Sequence, residues 1–156
     1  MKEPPRVGVV GLGNVGLPTA VCFASRGIRT IGVEADARRA HRISRGDPTI
    51  LEDKLPAMLA NGLRTGRLQI TTKYDALADV DLCFITVGTP RSRDGTIDLS
   101  QVIDASGSIA RVLRHTSYKT IVIKSTVTPG TTEGKLRPRI EAVSGKKVPL
   151  SGSSAK

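Results

Sequence analysis

Short apolar runs rich in β-branched residues alternate along the chain with longer stretches of helical periodicity. Strands buried on both faces of a sheet have this continuous apolar character, and crossover helices occupy the intervals between them. The runs predict five strands, at 6–10, 30–34, 68–71, 81–86 and 120–124. Because this alternation is typical of βαβ units, the chain is predicted to be an α/β protein built around a parallel sheet.

Helical periodicity in the first half of the chain predicts three helices. Leu17, Ala20, Val21 and Ala24 recur on one helical face, and Gly27 is placed to end that helix. The other predicted elements are a helix at 36–44, a helix at 52–60 that the Asn-Gly pair at 61–62 closes, and a helical turn at 74–78.

The second half of the chain contains two further predicted helices. Asp98 and Gln101 have the spacing of a capping box. The apolar face of the helix that follows consists of Val102, Ser106, Ile109, Ala110 and Leu113. The last helix, at 133–143, is expected to be interrupted or bent at Pro138, and Val148 is a candidate start for a sixth strand.

Length and composition indicate one globular domain. The chain has 156 residues, 38% of them hydrophobic and 24% charged, and no apolar stretch approaches the roughly 20 residues of a membrane span. We expect one domain over residues 1–149 and a flexible tail over 150–156, which includes SGSSAK. The first residues lack the apolar region of a secretory signal, so the expected location is cytoplasmic.

The net charge of +10 raises the question of a polyanionic partner. Basic residues are spread along the chain, and aromatic residues make up only 3% of it. This composition disfavours a base-stacking nucleic-acid surface and favours a phosphorylated small molecule.

Cysteine and histidine placement predicts no metal site. Cys22 and Cys83 lie in separate apolar segments, which predicts buried, unreactive thiols rather than a disulfide or zinc ligands. His41 and His115 lie in arginine-containing stretches without further ligands at metal spacing, and both are predicted to be surface residues.

Three glycines follow the first predicted strand directly. Gly11, Gly13 and Gly16 form G-x-G-x-x-G at the point where a helix begins. In this context Gly11 allows the tight turn, Gly13 admits a pyrophosphate and Gly16 allows the helix to pack on the sheet, while N–H groups near Asn14 and Val15 suit an anion. The motif predicts a Rossmann-type doubly wound parallel sheet that binds a dinucleotide.

An acidic residue ends the second predicted strand. Glu34 lies close to the distance of about 20 residues after the motif at which a carboxylate binds the adenosine ribose. Because this charge repels the extra phosphate of NADP, NAD is the predicted cofactor. Arg38 and Arg39 keep NADP as an alternative, and Glu34 could also be an ordinary exposed carboxylate at a strand end.

Several motifs together resemble the UDP-glucose/GDP-mannose dehydrogenase family of nucleotide-sugar dehydrogenases. They are GLGNVGLPTA, GVEAD, RGDPTILEDKLPAML, ITVGTP and VIKSTVTPGTT. The last two are the more specific, since many Rossmann domains share the first loop. The resemblance covers nearly the whole chain and corresponds to the amino-terminal, NAD-binding domain, so the central and carboxyl-terminal domains are expected to be absent from it.

The resemblance implies roles for individual residues. It assigns the pyrophosphate to the loop of Gly11, Leu12, Gly13, Asn14, Val15 and Gly16. It places Glu34, where the family usually has aspartate, and Arg39 at the adenosine end. It assigns the wall beside the adenosine half to Val87, Gly88, Thr89 and Pro90, and the nicotinamide side to Ser125, Thr126 and Val127. Thr126 would be a supporting catalytic hydroxyl near the reacting centre.

The resemblance also implies a reaction. The family oxidises the C6 hydroxyl of a nucleotide sugar to a carboxylate with two molecules of NAD, through a thiohemiacetal on a cysteine that a lysine and an asparagine assist. These residues belong to the other domains, and neither Cys22 nor Cys83 matches the catalytic cysteine. The implied enzyme is most similar to those acting on UDP-glucose, and it forms a homo-oligomer through the central domain.

Two alternatives stay open at this point. The chain could be the cofactor domain of another NAD-linked enzyme, such as a β-hydroxyacid dehydrogenase, or a non-catalytic module that binds nucleotides or nucleic acid. The KSTV sequence at 124–127 favours the nucleotide-sugar dehydrogenases.

Overall fold

The computed structural model describes residues 4–117 and 119–148. Its centre is a single five-stranded sheet in the order β3-β2-β1-β4-β5, in which every neighbouring pair of strands is parallel. The strands are β1 (Val7–Val10), β2 (Thr30–Val33), β3 (Leu68–Thr71), β4 (Leu82–Ile85) and β5 (Thr120–Ile123). The predicted parallel α/β fold and all five predicted strands are confirmed.

In the described part of the chain, five α-helices connect or follow these strands. They are α1 (Gly16–Ser25), α2 (Ala37–Ser44), α3 (Leu55–Arg64), α4 (Ser100–Leu113) and α5 (Arg137–Ser144). A 3-10 helix at Tyr74–Asp79 lies between β3 and β4, and a π-helical turn at Thr132–Leu136 leads into α5. The predicted interruption of the last helix is confirmed, since Pro138 stands in the first turn of α5, where a missing N–H is tolerated.

The helices cover both faces of the sheet, as a doubly wound fold requires. On one face Leu17, Val21 and Leu59 of α1 and α3 pack with Ile43 of α2. The other face is covered by α4 and α5, through Val102, Ile109 and Ile140 among others. All four residues of β1 are buried because this central strand is covered from both sides.

The predicted end of α3 at Asn61-Gly62 is wrong. The helix continues to Arg64. A Cβ atom at Gly62 would lie 3.2 Å from the Cβ of Leu68 and 3.4 Å from the Cβ of Ala24. The glycine therefore lets α3 approach its neighbours closely, and it does not terminate the helix.

The predicted capping box of α4 is also wrong. The carboxylate of Asp98 accepts a hydrogen bond of 2.8 Å from the backbone N–H of Ser100, while Leu99 occupies the N-cap position without a side-chain cap. Gln101 faces a cleft instead of bonding back to the start of the helix. The predicted apolar face of α4 is confirmed, because all five of its residues are buried.

At the end of the described chain, Val148 is not in a strand. Its backbone N–H donates a hydrogen bond of 2.9 Å to the carboxylate of Glu141 on α5. The residues that would continue a sixth strand, and the predicted tail at 150–156, lie outside the described residues.

The two cysteines differ in environment. Cys83 in β4 is buried, as predicted, and burial raises the pKa of its thiol to about 12. The predicted burial of Cys22 is wrong, because its position on α1 faces solvent, beside the apolar stripe. His41 and His115 are exposed, as predicted.

Within residues 4–117 and 119–148, none of the helices has the length and apolar character needed to cross a bilayer.

Candidate functional site

A cleft of about 520 Å³ opens at the carboxyl ends of the strands. Open α/β sheets bind ligands at this edge, where the chain leaves neighbouring strands in opposite directions. Eleven predicted site residues line it together: Gly11, Gly13, Asn14, Val15, Glu34, Arg39, Val87, Gly88, Thr89, Ser125 and Thr126. The structure thus brings together four segments that are far apart in the sequence.

Two of the three motif glycines are required by the protein itself. Gly11 has φ +91°, and a Cβ there would lie 2.8 Å from the side chain of Val87. A Cβ at Gly16 would lie 1.8 Å from the carbonyl oxygen of Gly11. These contacts explain the tight turn after β1 and the close packing of α1 that the sequence predicts.

Gly13 is different because the space beside it is open. Apart from its two chain neighbours, no described residue has an atom within 4 Å of a Cβ built at this position, and Gly13 lines the cleft. The first hydrogen bond of α1 runs from the N–H of Leu17 to the carbonyl of Gly13, at 3.0 Å. The N–H groups of Asn14 and Val15 precede that bond, so the helix end has the geometry that suits an anion. A pyrophosphate fits this arrangement.

Glu34 is held firmly at the end of β2. Its side chain accepts hydrogen bonds from the N–H of Leu12, at 3.1 Å, and from the N–H of Asp36, at 3.0 Å. Arg39 lies 3.7 Å from the same carboxylate. Because only 7% of the residue is exposed, its interpretation as an ordinary exposed carboxylate is wrong. Each carboxylate oxygen has a second lone pair, so the group can still accept ribose hydroxyls.

Two side-chain hydroxyl groups form hydrogen bonds that hold the loops lining the cleft in place. Thr86 Oγ1 lies 2.9 Å from the carbonyl oxygen of Val10 and 2.7 Å from that of Gly11, and donates its proton between them. Ser125 Oγ donates to the carbonyl of Val87 at 2.7 Å. The first contact ties the glycine loop to β4, and the second ties the loop after β4 to β5.

Four predicted site residues do not line the cleft. Leu12 and Gly16 are buried beneath it, Pro90 is exposed beyond it, and Val127 packs against the core. Leu12 still takes part through its backbone, which donates to Glu34. Contacts of these four residues with a cofactor stay predictions.

Sequence reasoning missed several lining residues: Val10, Val33, Ala35, Tyr74, Thr86, Gln101 and Lys124. Tyr74 is mostly buried, and desolvation raises the pKa of its phenol, so it stays a hydrogen-bond donor at neutral pH. The position of Thr86 and Lys124 at strand ends was a usable signal. For Tyr74 and Gln101 only the folded structure shows that their elements reach this cleft.

Comparison with known proteins identifies the family. A family model described as "UDP-glucose/GDP-mannose dehydrogenase family, NAD binding domain" matches residues 5–153. The chain belongs to this family. It is the NAD-binding domain, and its cofactor is NAD.

The individual relatives are named for two different nucleotide sugars. The GDP-mannose 6-dehydrogenase of Pseudomonas aeruginosa is 40% identical over 144 residues, which are 91% of this chain and 33% of that protein. The UDP-glucose 6-dehydrogenase of the same organism is 41% identical over 129 residues, 82% of this chain and 28% of that protein. The chain therefore spans about a third of the length of the curated relatives it matches.

Solved structures that are similar to this chain include members of the same family. A ternary complex of GDP-mannose dehydrogenase from Pseudomonas aeruginosa superposes with a TM-score of 0.89 at 40% identity, covering 91% of this chain and 33% of that one. A UDP-glucose dehydrogenase from Pyrobaculum islandicum gives 0.88 at 36% identity, covering 93% and 34%. A lactate dehydrogenase from Eimeria maxima, at 12% identity and 0.60, shares the fold alone.

Proposed function

We propose that this chain is the cofactor-binding domain of a nucleotide-sugar 6-dehydrogenase, which oxidises the C6 hydroxyl of its substrate to a carboxylate and reduces two molecules of NAD. The names of the relatives, GDP-mannose 6-dehydrogenase and UDP-glucose 6-dehydrogenase, support this class of reaction. The observation that carries the proposal is the open space beside Gly13 at the start of α1, with Glu34 fixed at one end of the same cleft.

The proposal assigns one part of the cofactor to each segment of the cleft. The loop from Gly11 to Gly16 holds the pyrophosphate, through backbone N–H groups and the positive end of α1. Glu34, at the end of β2, and Arg39, on α2, hold the adenosine ribose. Val87, Gly88, Thr89 and Pro90 form the wall beside the adenosine half, and Ser125, Thr126 and Val127 lie toward the nicotinamide.

When bound, NAD supplies the acceptor for a hydride. The residues of this chain would fix where that acceptor lies, and hydride transfer requires the reacting atoms to be held close together in the right orientation. Thr86 and Ser125 fasten the two loops to neighbouring strands, and their contacts keep the cleft in one shape. Thr126 is exposed in the loop after β5, where its hydroxyl can hold a water molecule or a substrate hydroxyl.

The nucleotide sugar is a separate inference. We infer UDP-glucose from the sequence motifs. GDP-mannose is the alternative, because relatives with each of the two names have similar identity to this chain. We also propose that the complete enzyme forms a homo-oligomer, as the family resemblance implies, and that it is cytoplasmic, as expected from the sequence.

Isothermal titration calorimetry on the 156-residue chain with NAD, NADH and NADP tests the proposal. We expect NAD and NADH to bind and NADP to bind more weakly, because its additional phosphate would meet the Glu34 carboxylate. Failure of NAD and NADH to bind, or tighter binding of NADP, would contradict the proposed site. Oxidation assays with UDP-glucose and GDP-mannose on a protein that includes the remaining two thirds of the family's length decide between the two sugars.

A further inference from the structure

The cleft has an uneven distribution of charge. Among the described residues that line it, three are acidic or basic: Glu34, Arg39 and Lys124. Glu34, at the end of β2, forms an ion pair with Arg39 on α2. Lys124 lies apart from them, directly after β5.

The strand order fixes the separation between these charges. β1 and β4 lie between β2 and β5, so three spacings of about 4.8 Å place the two ends of the cleft roughly 14 Å apart. The backbone at Lys124 is well anchored, because its N–H donates to the carbonyl of Ile85 at 2.9 Å and the next residue, Ser125, is bonded to Val87. Lys124 is an exposed residue and lines the cleft.

The proposed orientation of the cofactor places its two ends at these two positions. With the adenosine ribose at Glu34 and the pyrophosphate at the glycine loop, the nicotinamide falls on the β4 and β5 side of the cleft. Oxidised and reduced cofactors have the same two phosphates and the same adenosine. They differ in charge only at the nicotinamide ring, which carries one positive charge when oxidised and none when reduced.

We propose that Lys124 is a specificity-determining residue that favours NADH over NAD⁺ in this site. The inference rests on the proposed function, since it uses the orientation given there. A positive charge near the ring repels the oxidised form and leaves the neutral reduced form unaffected. Its attraction to the phosphates is common to both forms, so it cancels in the ratio of their dissociation constants. Lys124 thereby shifts the equilibrium on the protein toward the reduced cofactor, which is the direction of substrate oxidation.

The test compares this ratio, Kd for NAD⁺ divided by Kd for NADH, in four proteins. They are the unchanged chain, Lys124→Gln, Lys124→Arg and Arg39→Gln, each titrated by calorimetry at low salt. We expect Lys124→Gln to lower the ratio by about threefold to tenfold, the effect of one partly solvated charge at several ångströms. Lys124→Arg keeps the positive charge and should leave the ratio of dissociation constants unchanged. Arg39→Gln is the matched control, because it removes a cleft cation at the adenosine end, where the two forms are identical.

Added salt gives a second measurement on the unchanged chain. Screening weakens the repulsion between an exposed lysine and the ring, so the ratio should fall between about 0.02 and 0.5 M salt, and it should stay constant in Lys124→Gln. An unchanged ratio in Lys124→Gln, or an equal fall in Arg39→Gln, would overturn the inference. These outcomes are distinct from failure of the proposed function, in which neither form of the cofactor binds to the unchanged chain.

Discussion

The carboxylate of Glu34 accepts a hydrogen bond from the backbone N–H of Leu12, 22 residues earlier in the chain and 3.1 Å away. A second bond, from the N–H of Asp36, holds its other oxygen. The residue that is proposed to recognise the ribose therefore also ties the glycine loop to the end of β2. Cofactor selection and loop geometry depend on the same side chain.

Replacing this carboxylate by an amide should change both properties. In Glu34→Gln one oxygen is replaced by an NH₂ group, which cannot accept an N–H donor, so one of the two backbone bonds is lost. We expect a loss of about 1 kcal/mol in the free energy of unfolding. Removal of the negative charge should also narrow the preference for NAD over NADP by roughly tenfold. Chemical denaturation and calorimetry measure the two effects, with exposed Glu52→Gln as the control. An unchanged preference would exclude Glu34 from cofactor selection.

Substitution at Gly13 should remove cofactor binding without unfolding the domain. The side chain of Gly13→Val would enter the cleft, because no described residue other than its chain neighbours has an atom within 4 Å of its Cβ position. Gly134→Val is the matched control, since Gly134 also has a negative φ and open space but lies in the π-helical turn away from the cleft. We expect binding of NAD to fall at least about a hundredfold in Gly13→Val only, because the valine occupies the space proposed for the pyrophosphate. Equal affinities in the two variants would show that the open space is not the binding position.

The hydroxyl of Thr86 should contribute to stability and to affinity. It donates to the carbonyls of Val10 and Gly11 in a nearly buried position. Thr86→Val keeps the shape but leaves these acceptors without the bond, at a cost of about 1–2 kcal/mol in the free energy of unfolding. NAD should also bind several-fold more weakly, because the glycine loop is held less firmly. Thr86→Ser keeps the hydroxyl and should restore most of both properties. A valine variant with unchanged stability and affinity would contradict this role.

The fold was predictable because its signals are local. Each buried strand is a short apolar run, and the stripe of Leu17, Ala20, Val21 and Ala24 specifies the buried face of α1. The errors have tertiary causes. Gly62 was predicted to end a helix because glycine does so in isolation, whereas here it allows close contact with Leu68 and Ala24.

The residues of the cleft also fall into two groups, those that local sequence signals predict and those that only tertiary packing brings to the cleft. Gly11, Gly13 and Glu34 were predictable because one βαβ unit contains them at fixed spacing. Gln101 and Tyr74 reach the cleft only through the packing of α4 and of the 3-10 helix. The exposure of Cys22 was missed because its neighbours Val21 and Ala24 are buried, and one helical step is enough to turn a residue away from them.

Acid should destabilise the domain through Asp36 among other carboxylates. Hydrogen bonds from the backbone N–H groups of Arg39 and Arg38 hold the pKa of this N-cap carboxyl below its ordinary value. A group whose pKa is lowered by folding stabilises the protein above its unfolded pKa, and this contribution is lost as the pH falls through the folded value. Asp36→Ala should therefore lower the Tm at pH 7, and the difference from the unchanged chain should shrink below about pH 4. Thermal unfolding between pH 7 and pH 3 measures this, with exposed Asp104→Ala as the control. A difference independent of pH would assign the loss to helix propensity instead of charge.

The 156-residue chain should bind NAD without oxidising a nucleotide sugar. Oxidation of a hydroxyl requires that it be held beside the nicotinamide and deprotonated by a placed base. In the reaction that the resemblance implies, a cysteine thiol is also required. Neither cysteine of this chain lines the cleft. Cys83 is buried and the pKa of its thiol is about 12, while Cys22 is exposed on α1. The hydroxyl of Thr126 does not ionise unaided near neutral pH. A thiol reagent should accordingly modify Cys22 in the folded chain and Cys83 only after denaturation, and labelling should leave NAD affinity unchanged.

Assays for NADH formation with UDP-glucose and GDP-mannose should show no turnover. Turnover that is lost in Cys22→Ser or Cys83→Ser would assign that thiol a catalytic role and overturn the proposal that the nucleophile lies elsewhere.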